Sequence, residues 1–300
     1  MKHVVESQQF DVELIETIFT IADKLEKKTD DSLRGKIMAS LFYEPSTRTR
    51  FSFESAMIRL GGNVITTENA REFSSSAKGE TLEDSIRVVG NYADVIVLRH
   101  HEKGASARAA SVSSVPIVNA GDGAGQHPTQ ALLDLYTIRR SFGKIDGIKI
   151  ALVGDLKHGR TIRSLAYLLG KYKNVSVYFV SPPGLRVEDD IKVYLDKHET
   201  HYEEVSDLES IVSKIDVLYQ TRIQKERFET PEEYEKFKGC YLVDAHLVKK
   251  MPKKSIVMHP LPRVGEIAEE VDILPQAMYF KQAGYGLLVR MALLKYLLGK

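Results

Sequence analysis

The sequence is short of several things, and each shortage closes off a class of protein. Cys240 is its single cysteine. That excludes an internal disulfide, and it excludes a cysteine-rich zinc site built from this chain. No apolar run reaches the about 20 residues a membrane-spanning helix needs. Residues 1–10 carry a carboxylate and no apolar h-region, so no secretory signal is read there. These absences lead us to expect a cytoplasmic protein. Net charge is only +1, from 42 basic and 41 acidic residues. No global field draws the chain to nucleic acid or to a membrane, and any basic site must be local. A phosphate loop ending in Gly-Lys-Ser/Thr is missing, as is a nucleophile–base–carboxylate order. His100, His101, His158, His198 and His201 fall into no metal-ligand spacing. The glycines of Gly121-Asp122-Gly123-Ala124-Gly125 alternate as in a dinucleotide fingerprint. The third glycine of that fingerprint is absent at its spacing, and Pro128 opens the next helix, so the stretch reads as a turn. We expect no metal and no cofactor. No repeat or low-complexity segment is visible.

What is present is a globular composition, 43% apolar and 28% charged over 300 residues. That length suits two domains, each able to bury a core. Helix-period and strand-like stretches alternate. Helices are expected at 11–28, from about 47 to 60, from Thr81 with Asp84 as a capping box, at 105–113, and from Pro128 onward. Strands are expected at 37–43, 64–67, 95–98 and 116–120, with a loop at 69–79. Past the Pro128 helix, which joins the domains, strands are expected at 148–153, 175–180, 217–220, 241–243 and 256–258. Helices are expected at 161–171, 187–197, 207–213 and from Pro275. The charged stretch 222–239 reads as a long loop. Alternation of this kind implies an α/β protein with two doubly wound parallel-sheet domains, helices on both faces. Ligands on such sheets bind at the carboxyl ends of strands.

The densest signal is Pro45-Ser46-Thr47-Arg48-Thr49-Arg50. A buried strand leads in, and a helix leads out with Phe53, Ala56, Met57 and Leu60 on one face until Gly61-Gly62 stops it. Backbone N–H groups, hydroxyls and guanidinium groups therefore meet at a helix N-terminus, where an anion is best held. The competing reading is a Ser/Thr cap followed by surface arginines. Other strand ends carry Arg99, then His127 with Gln130, Gly154 to Thr161, Gln220 to Gln224, and His259 to Arg263. If these ends share a cleft it holds Arg48, Arg99, Arg160 and Arg222, a set suited to small polyanions because guanidinium meets carboxylate and phosphate with two hydrogen bonds. Surface arginines paired with carboxylates are the plainer alternative. Catalysis by positioning and electrostatics is the chemistry to expect.

These residues carry a resemblance. Ser46-Thr47-Arg48-Thr49-Arg50 and His127-Pro128-Thr129-Gln130 resemble the two shared motifs of the aspartate/ornithine transcarbamoylase family. Asp155-Leu156-Lys157-His158-Gly159-Arg160-Thr161, Thr221 to Arg227, and His259-Pro260-Leu261-Pro262-Arg263 resemble its aspartate branch, in family order over about residues 35–290. The ornithine branch typically has cysteine where Pro260 stands. The resemblance implies carbamoyl transfer from carbamoyl phosphate to the amine of L-aspartate, an early step toward pyrimidines. An ornithine-type transferase, or a non-catalytic anion-binding protein on the same fold, is the alternative.

It further implies a carbamoyl-phosphate domain at 1–130 with the C-terminal helix, 285–300, packed back on it, and an aspartate domain at 131–284. Ser46, Thr47, Arg48 and Thr49 would hold the phosphate. Thr49, Arg99 and His127 would approach the carbamoyl oxygen, and Gln130 its amine. Arg160, Thr161, Arg222 and Gln224 would receive aspartate, with backbone oxygens from Leu261 and Pro262 across a cis bond. Ser74 and Lys78, the latter counted as catalytic, would enter from the neighbouring subunit of a homotrimer. A separate zinc-containing regulatory chain is a further partner of some family members. Residues 222–234 would close over aspartate, and Glu44 would pair with Arg227. His158 and Gly265 depart from the family pattern, which commonly has tyrosine and an acidic or amide residue there.

Overall fold

The computed structural model describes residues 1–27, 30–70, 79–224, 228 and 230–299. Two compact units emerge, one of Met1–Leu133 with Gly284–Lys300, the other of Asp134–Ala283. The chain passes between them inside two helices.

The first unit opens with α1 (Val12–Leu25), capped by Asp11, whose carboxylate accepts the Leu14 N–H at 2.8 Å. Then come β1 (Ile37–Phe42), α2 (Thr47–Arg59), β2 (Asn63–Glu68), α3 (Leu82–Val89), β3 (Val95–His100), α4 (Ala105–Val112) and β4 (Ile117–Asp122). The sheet is parallel with order β2-β1-β3-β4. Its inner strands β1 and β3 are buried and mostly apolar, apart from Ser40 and the closing Arg99-His100, whereas β2 at the edge is half-exposed. Val4 bonds alongside Val118 and covers the other edge. As the spacing predicts, Phe53, Ala56, Met57 and Leu60 are all buried. Gly61, at φ +79°, and Gly62 close α2 by donating to Ile58 and Met57, a Schellman end that needs the left-handed residue. Thr81 caps α3 by accepting the Asp84 N–H, but the Asp84 carboxylate takes Arg87, so the expected capping box is half-formed.

Next, α5 (Pro128–Phe142) leads into the second unit, with Leu132, Leu135 and Tyr136 buried as expected. There follow β5 (Lys149–Val153), α6 (Arg160–Leu169), β6 (Ser176–Val180), α7 (Asp189–Lys197), β7 (His201–Val205), β8 (Val217–Gln220), α8 (Pro231–Glu235), α9 (Ala245–Lys250), β9 (Ile256–Met258) and α10 (Tyr279–Leu298). This sheet is also parallel, in the order β7-β6-β5-β8-β9. The latter part of α10 belongs to the first unit, where Arg290 lies over the Phe53 ring at 4.8 Å and Lys295 pairs with Asp30. Among the described residues, no helix is long and apolar enough to cross a membrane.

Several expected elements change. The helix at 207–213 is a turn followed by a 3₁₀ turn, Val212–Lys214. The Asp207 carboxylate accepts the Glu209 N–H and Ser210 donates to the Asp207 carbonyl, local bonds that compete with a helix. The strand at 241–243 shrinks to one bridge, Val243 to Ile267. The stretch at 222–239 holds α8, started by a Thr230 cap and Pro231. Strand β7 was not expected, because His201-Tyr202-Glu203-Glu204-Val205 is a polar edge without alternation. The final helix starts at Tyr279 rather than Pro275, since Gln276 and Met278 first bond along Val257 of β9.

Candidate active site

In the first unit the sheet reverses its winding between β1 and β3, the kind of crevice where doubly wound sheets bind ligands. Phe42 of β1 pairs in register with Arg99 of β3, and the Tyr43 N–H donates to the Arg99 carbonyl at 2.9 Å. The strand thus runs on through Arg99 and His100, beyond the expected end. Buried Arg99 places Nη2 3.4 Å from Glu44 and donates from Nη1 to the Ala120 carbonyl at 3.2 Å.

Beside it, α2 begins at Thr47 with Ser46 as the residue before it. The Ser46 side chain makes no capping bond, and the first turn contains no acidic residue. The reading of this motif as an ordinary Ser/Thr cap therefore fails. An N-terminus of this kind, with Arg48 exposed and Thr49 buried, favours an anion. The second arginine is spoken for: Arg50 pairs with Glu68 at 2.9 Å and lies 3.8 Å from Glu54.

The glycine cluster begins in β4, which runs two residues past its expected end, and makes the expected turn only over 123–125. The Asp122 carboxylate accepts from the Gly104 and Gln126 N–H groups, and a Cβ on Gly123 would sit 2.4 Å from the His101 carbonyl. This turn delivers His127 to the start of α5. The His127 carbonyl accepts the Gln130 and Ala131 N–H groups, and its ring Nδ1 lies 3.4 Å from Thr129 Oγ1. Gln130 is buried one turn on.

The second unit reverses its winding between β5 and β8. Gly154 sits at φ +121°, and a Cβ there would fall 2.5 Å from the Thr221 carbonyl, so these strand ends approach as only glycine allows. The Thr221 hydroxyl donates to the Val153 carbonyl at 2.9 Å. Buried Asp155 accepts the His158 N–H, and the His158 ring lies 3.1 Å away. Arg160 and Thr161 open α6, half-buried, again with no acidic residue in the first turn. Arg222 and Gln224 follow β8, and Gln224 Nε2 donates to the His158 carbonyl at 3.4 Å.

After β9, the His259 ring accepts the Leu261 N–H on Nδ1 at 2.8 Å, which puts its proton on Nε2, where it donates to Glu266 at 2.7 Å. Burial pushes the His259 pKa down, helped by the charges of Arg263 and Arg222 and opposed by Glu266. Hydrogen bonds from His259 and Val264 hold the Glu266 carboxyl low even though burial raises it. The Leu261–Pro262 bond is cis, as the resemblance implies. Arg263, in contrast, is structural: it pairs with Asp272 and Tyr279.

Each unit therefore gathers its own share of the expected residues. Thr49 and Arg99 lie at the first switch point with Ser46, Thr47 and Arg48, and His127 with Gln130 open α5. Arg160, Thr161, Arg222 and Gln224 lie at the second switch point, with Leu261 and Pro262 following β9. Ser74, Lys78 and Arg227 fall outside the described residues. Of the two departures, Gly265 sits at φ +101° with open space around it, a conformation that favours glycine. The His158 ring packs edge-on to Phe228 at 5.9 Å. Among the described residues, His100, His101 and Glu102 bring ligand atoms within 4.8 Å of one another. His100 Nδ1 already accepts the Glu102 N–H, and the Glu102 carboxylate takes Arg108 at 2.9 Å.

Two family models match in tandem. Residues 2–140 match the aspartate/ornithine carbamoyltransferase carbamoyl-P binding domain, and residues 146–297 match the Asp/Orn binding domain. The chain belongs to the aspartate/ornithine carbamoyltransferase family. Within this family it is 59% identical to the chloroplastic aspartate carbamoyltransferase of Arabidopsis thaliana, over 99% of this chain and 78% of that one. It is 55% identical to the aspartate carbamoyltransferase catalytic subunit of Methanocaldococcus jannaschii, over 99% and 98%. A solved structure of that catalytic subunit matches with a TM-score of 0.91, over 99% of this chain and 98% of that one. The aspartate transcarbamoylase of Trypanosoma cruzi in complex with N-(phosphonacetyl)-L-aspartic acid matches with a TM-score of 0.92 at 41% identity, over 98% and 94%. In family terms, the acid-free α2 terminus falls in the carbamoyl-P model, and the α6 and β8 ends fall in the Asp/Orn model.

Proposed function

We infer that this enzyme transfers the carbamoyl group from carbamoyl phosphate to the amine of L-aspartate, giving N-carbamoyl-L-aspartate and phosphate, a step toward pyrimidines. The observation that carries this reading is identity of 55–60% along nearly the whole chain to enzymes named aspartate carbamoyltransferase. Other structures of the Trypanosoma cruzi relative are described with carbamoyl phosphate and aspartate, or with carbamoyl aspartate and phosphate.

The chemistry follows from the side chains. The α2 terminus with Ser46, Thr47 and Arg48 takes the phosphate. Arg160, Arg222 and Gln224 take the aspartate carboxylates. The amine attacks the planar carbonyl carbon and forms a C–N bond, and the oxygen becomes negative. Thr49, Arg99 and His127 stabilise that oxyanion, while Gln130 holds the carbamoyl amine. The C–O bond to phosphate then breaks, and the departing phosphate takes the proton lost by the amine. Holding two mutually repelling anions at attack distance supplies much of the rate. Formation of N-carbamoyl-L-aspartate from the two substrates is the direct test.

The proposal extends to a homotrimer whose active sites are shared, with Ser74 and Lys78 entering from a neighbouring copy. Phe51 and Ile58 on α2, 56% and 61% exposed, supply an apolar face for such contacts. Inactive Lys78→Ala chains mixed with inactive Arg48→Ala chains are expected to regain activity in hybrid trimers, because one site per mixed pair receives both intact residues. Mixed trimers that stay inactive would contradict the shared site. A regulatory chain, suggested by the name catalytic subunit of the archaeal relatives, would have to bring its own zinc ligands, since Cys240 stands alone here.

A further inference from the structure

A buried carboxylate of the second unit sits midway along α5. Asp134, on α5, is fully shielded from solvent, with Leu132, Leu133 and Leu135 beside it in sequence. Both its oxygens are engaged. The Tyr219 hydroxyl donates to Oδ2 at 2.8 Å, and Gln282 Nε2 donates to Oδ1 at 2.6 Å. Each partner is itself buried and passes the connection on. Tyr219, on β8, stands two residues before Thr221. Gln282, on α10, accepts the His259 N–H at 2.9 Å, and the His259 ring accepts the Leu261 N–H.

A buried charge or polar group without a partner is costly, so such a network either satisfies all its members or fails as a set. Here its ends are two chain segments that carry acceptor-side residues. Thr221 to Gln224 continue directly from Tyr219 and Gln220. Leu261-Pro262 hang from His259.

We propose that Asp134 is a positioning residue for the acceptor half of the site, fixing these two segments relative to one another through Tyr219 and Gln282. The proposal rests on the reading of those segments as the acceptor site. It assigns Asp134, Tyr219 and Gln282 no contact with substrate. A purely structural role would lower thermal stability and leave the balance between the two substrates unchanged.

The test uses the full enzyme with two conservative variants, Tyr219→Phe and Gln282→Met, beside Asp134→Asn. The two conservative changes remove polar groups while keeping bulk, so folding is retained even where Asp134→Asn fails. Each is expected to raise KM for the acceptor amino acid by about tenfold or more, as for a lost hydrogen bond to a charged group. Carbamoyl-phosphate binding, followed by calorimetry, is expected to stay within about twofold. The double variant is expected to show less than the product of the single effects, because both act through one carboxylate. Unchanged acceptor KM in both single variants, equal weakening of both substrates, or fully multiplicative effects would overturn the proposal. The acceptor is whichever amino acid the wild-type enzyme turns over. A wild type that used ornithine would sink the proposed function, and the same split would still decide the role of Asp134.

Discussion

His127→Ala is expected to bind phosphate as the wild type does and to lose two to three powers of ten in turnover, about 3 kcal/mol of transition-state stabilisation. The expectation follows from where the residue sits. Its carbonyl anchors the first turn of α5, a backbone role that alanine keeps. Its ring is buried at the head of that helix, near Thr129. An oxyanion donor acts when charge develops, so its loss falls on kcat more than on ground-state binding. Steady-state rates combined with phosphate titration separate the two. Turnover within a few-fold of wild type, or loss of phosphate binding with turnover retained, would remove His127 from the oxyanion site.

Arg222→Ala is expected to raise KM for aspartate by about two powers of ten while carbamoyl-phosphate binding holds. Arg222 follows β8 at the second switch point, close enough to His259 for its charge to oppose protonation of that ring. A carboxylate there would meet a planar fork of donors. Arg222→Lys should recover little, because a point charge does not reproduce two parallel hydrogen bonds. Initial rates over an aspartate series at saturating carbamoyl phosphate make the comparison. Equal damage to both substrates, or full recovery by lysine, would place Arg222 outside the carboxylate site.

How far the sequence could be read depended on whether a segment's fate is decided locally. The β1–α2 junction was legible because strand, hydroxyl run, apolar face and Gly61-Gly62 are adjacent and agree. Whether Ser46 capped the helix was not legible, since an N-cap residue type states a capacity and not its use. Arg50, read as one of the guanidinium groups at that terminus, serves Glu54 one turn on and Glu68, a partner set by the β1–β2 pairing. Strand β7 was hidden because its register comes from β6 and not from its own polar pattern. Helix α9 was not expected, although the Asp244 carboxylate caps it at the Leu247 N–H and an aspartate ahead of a short apolar run is a helix-start signal. Asp134 was not legible either, although it lies between the inward Leu132 and Leu135. Its partners Tyr219 and Gln282 are 85 and 148 residues away, beyond the reach of any local pattern.

The central claim is that aspartate is the acceptor, and a side-by-side acceptor assay tests it most directly. Purified enzyme is given carbamoyl phosphate with L-aspartate, with L-ornithine, and with both in competition, and the carbamoylated products are quantified. The account predicts N-carbamoyl-L-aspartate alone and, in the mixture, no diversion by ornithine. Turnover with ornithine and none with aspartate would contradict it.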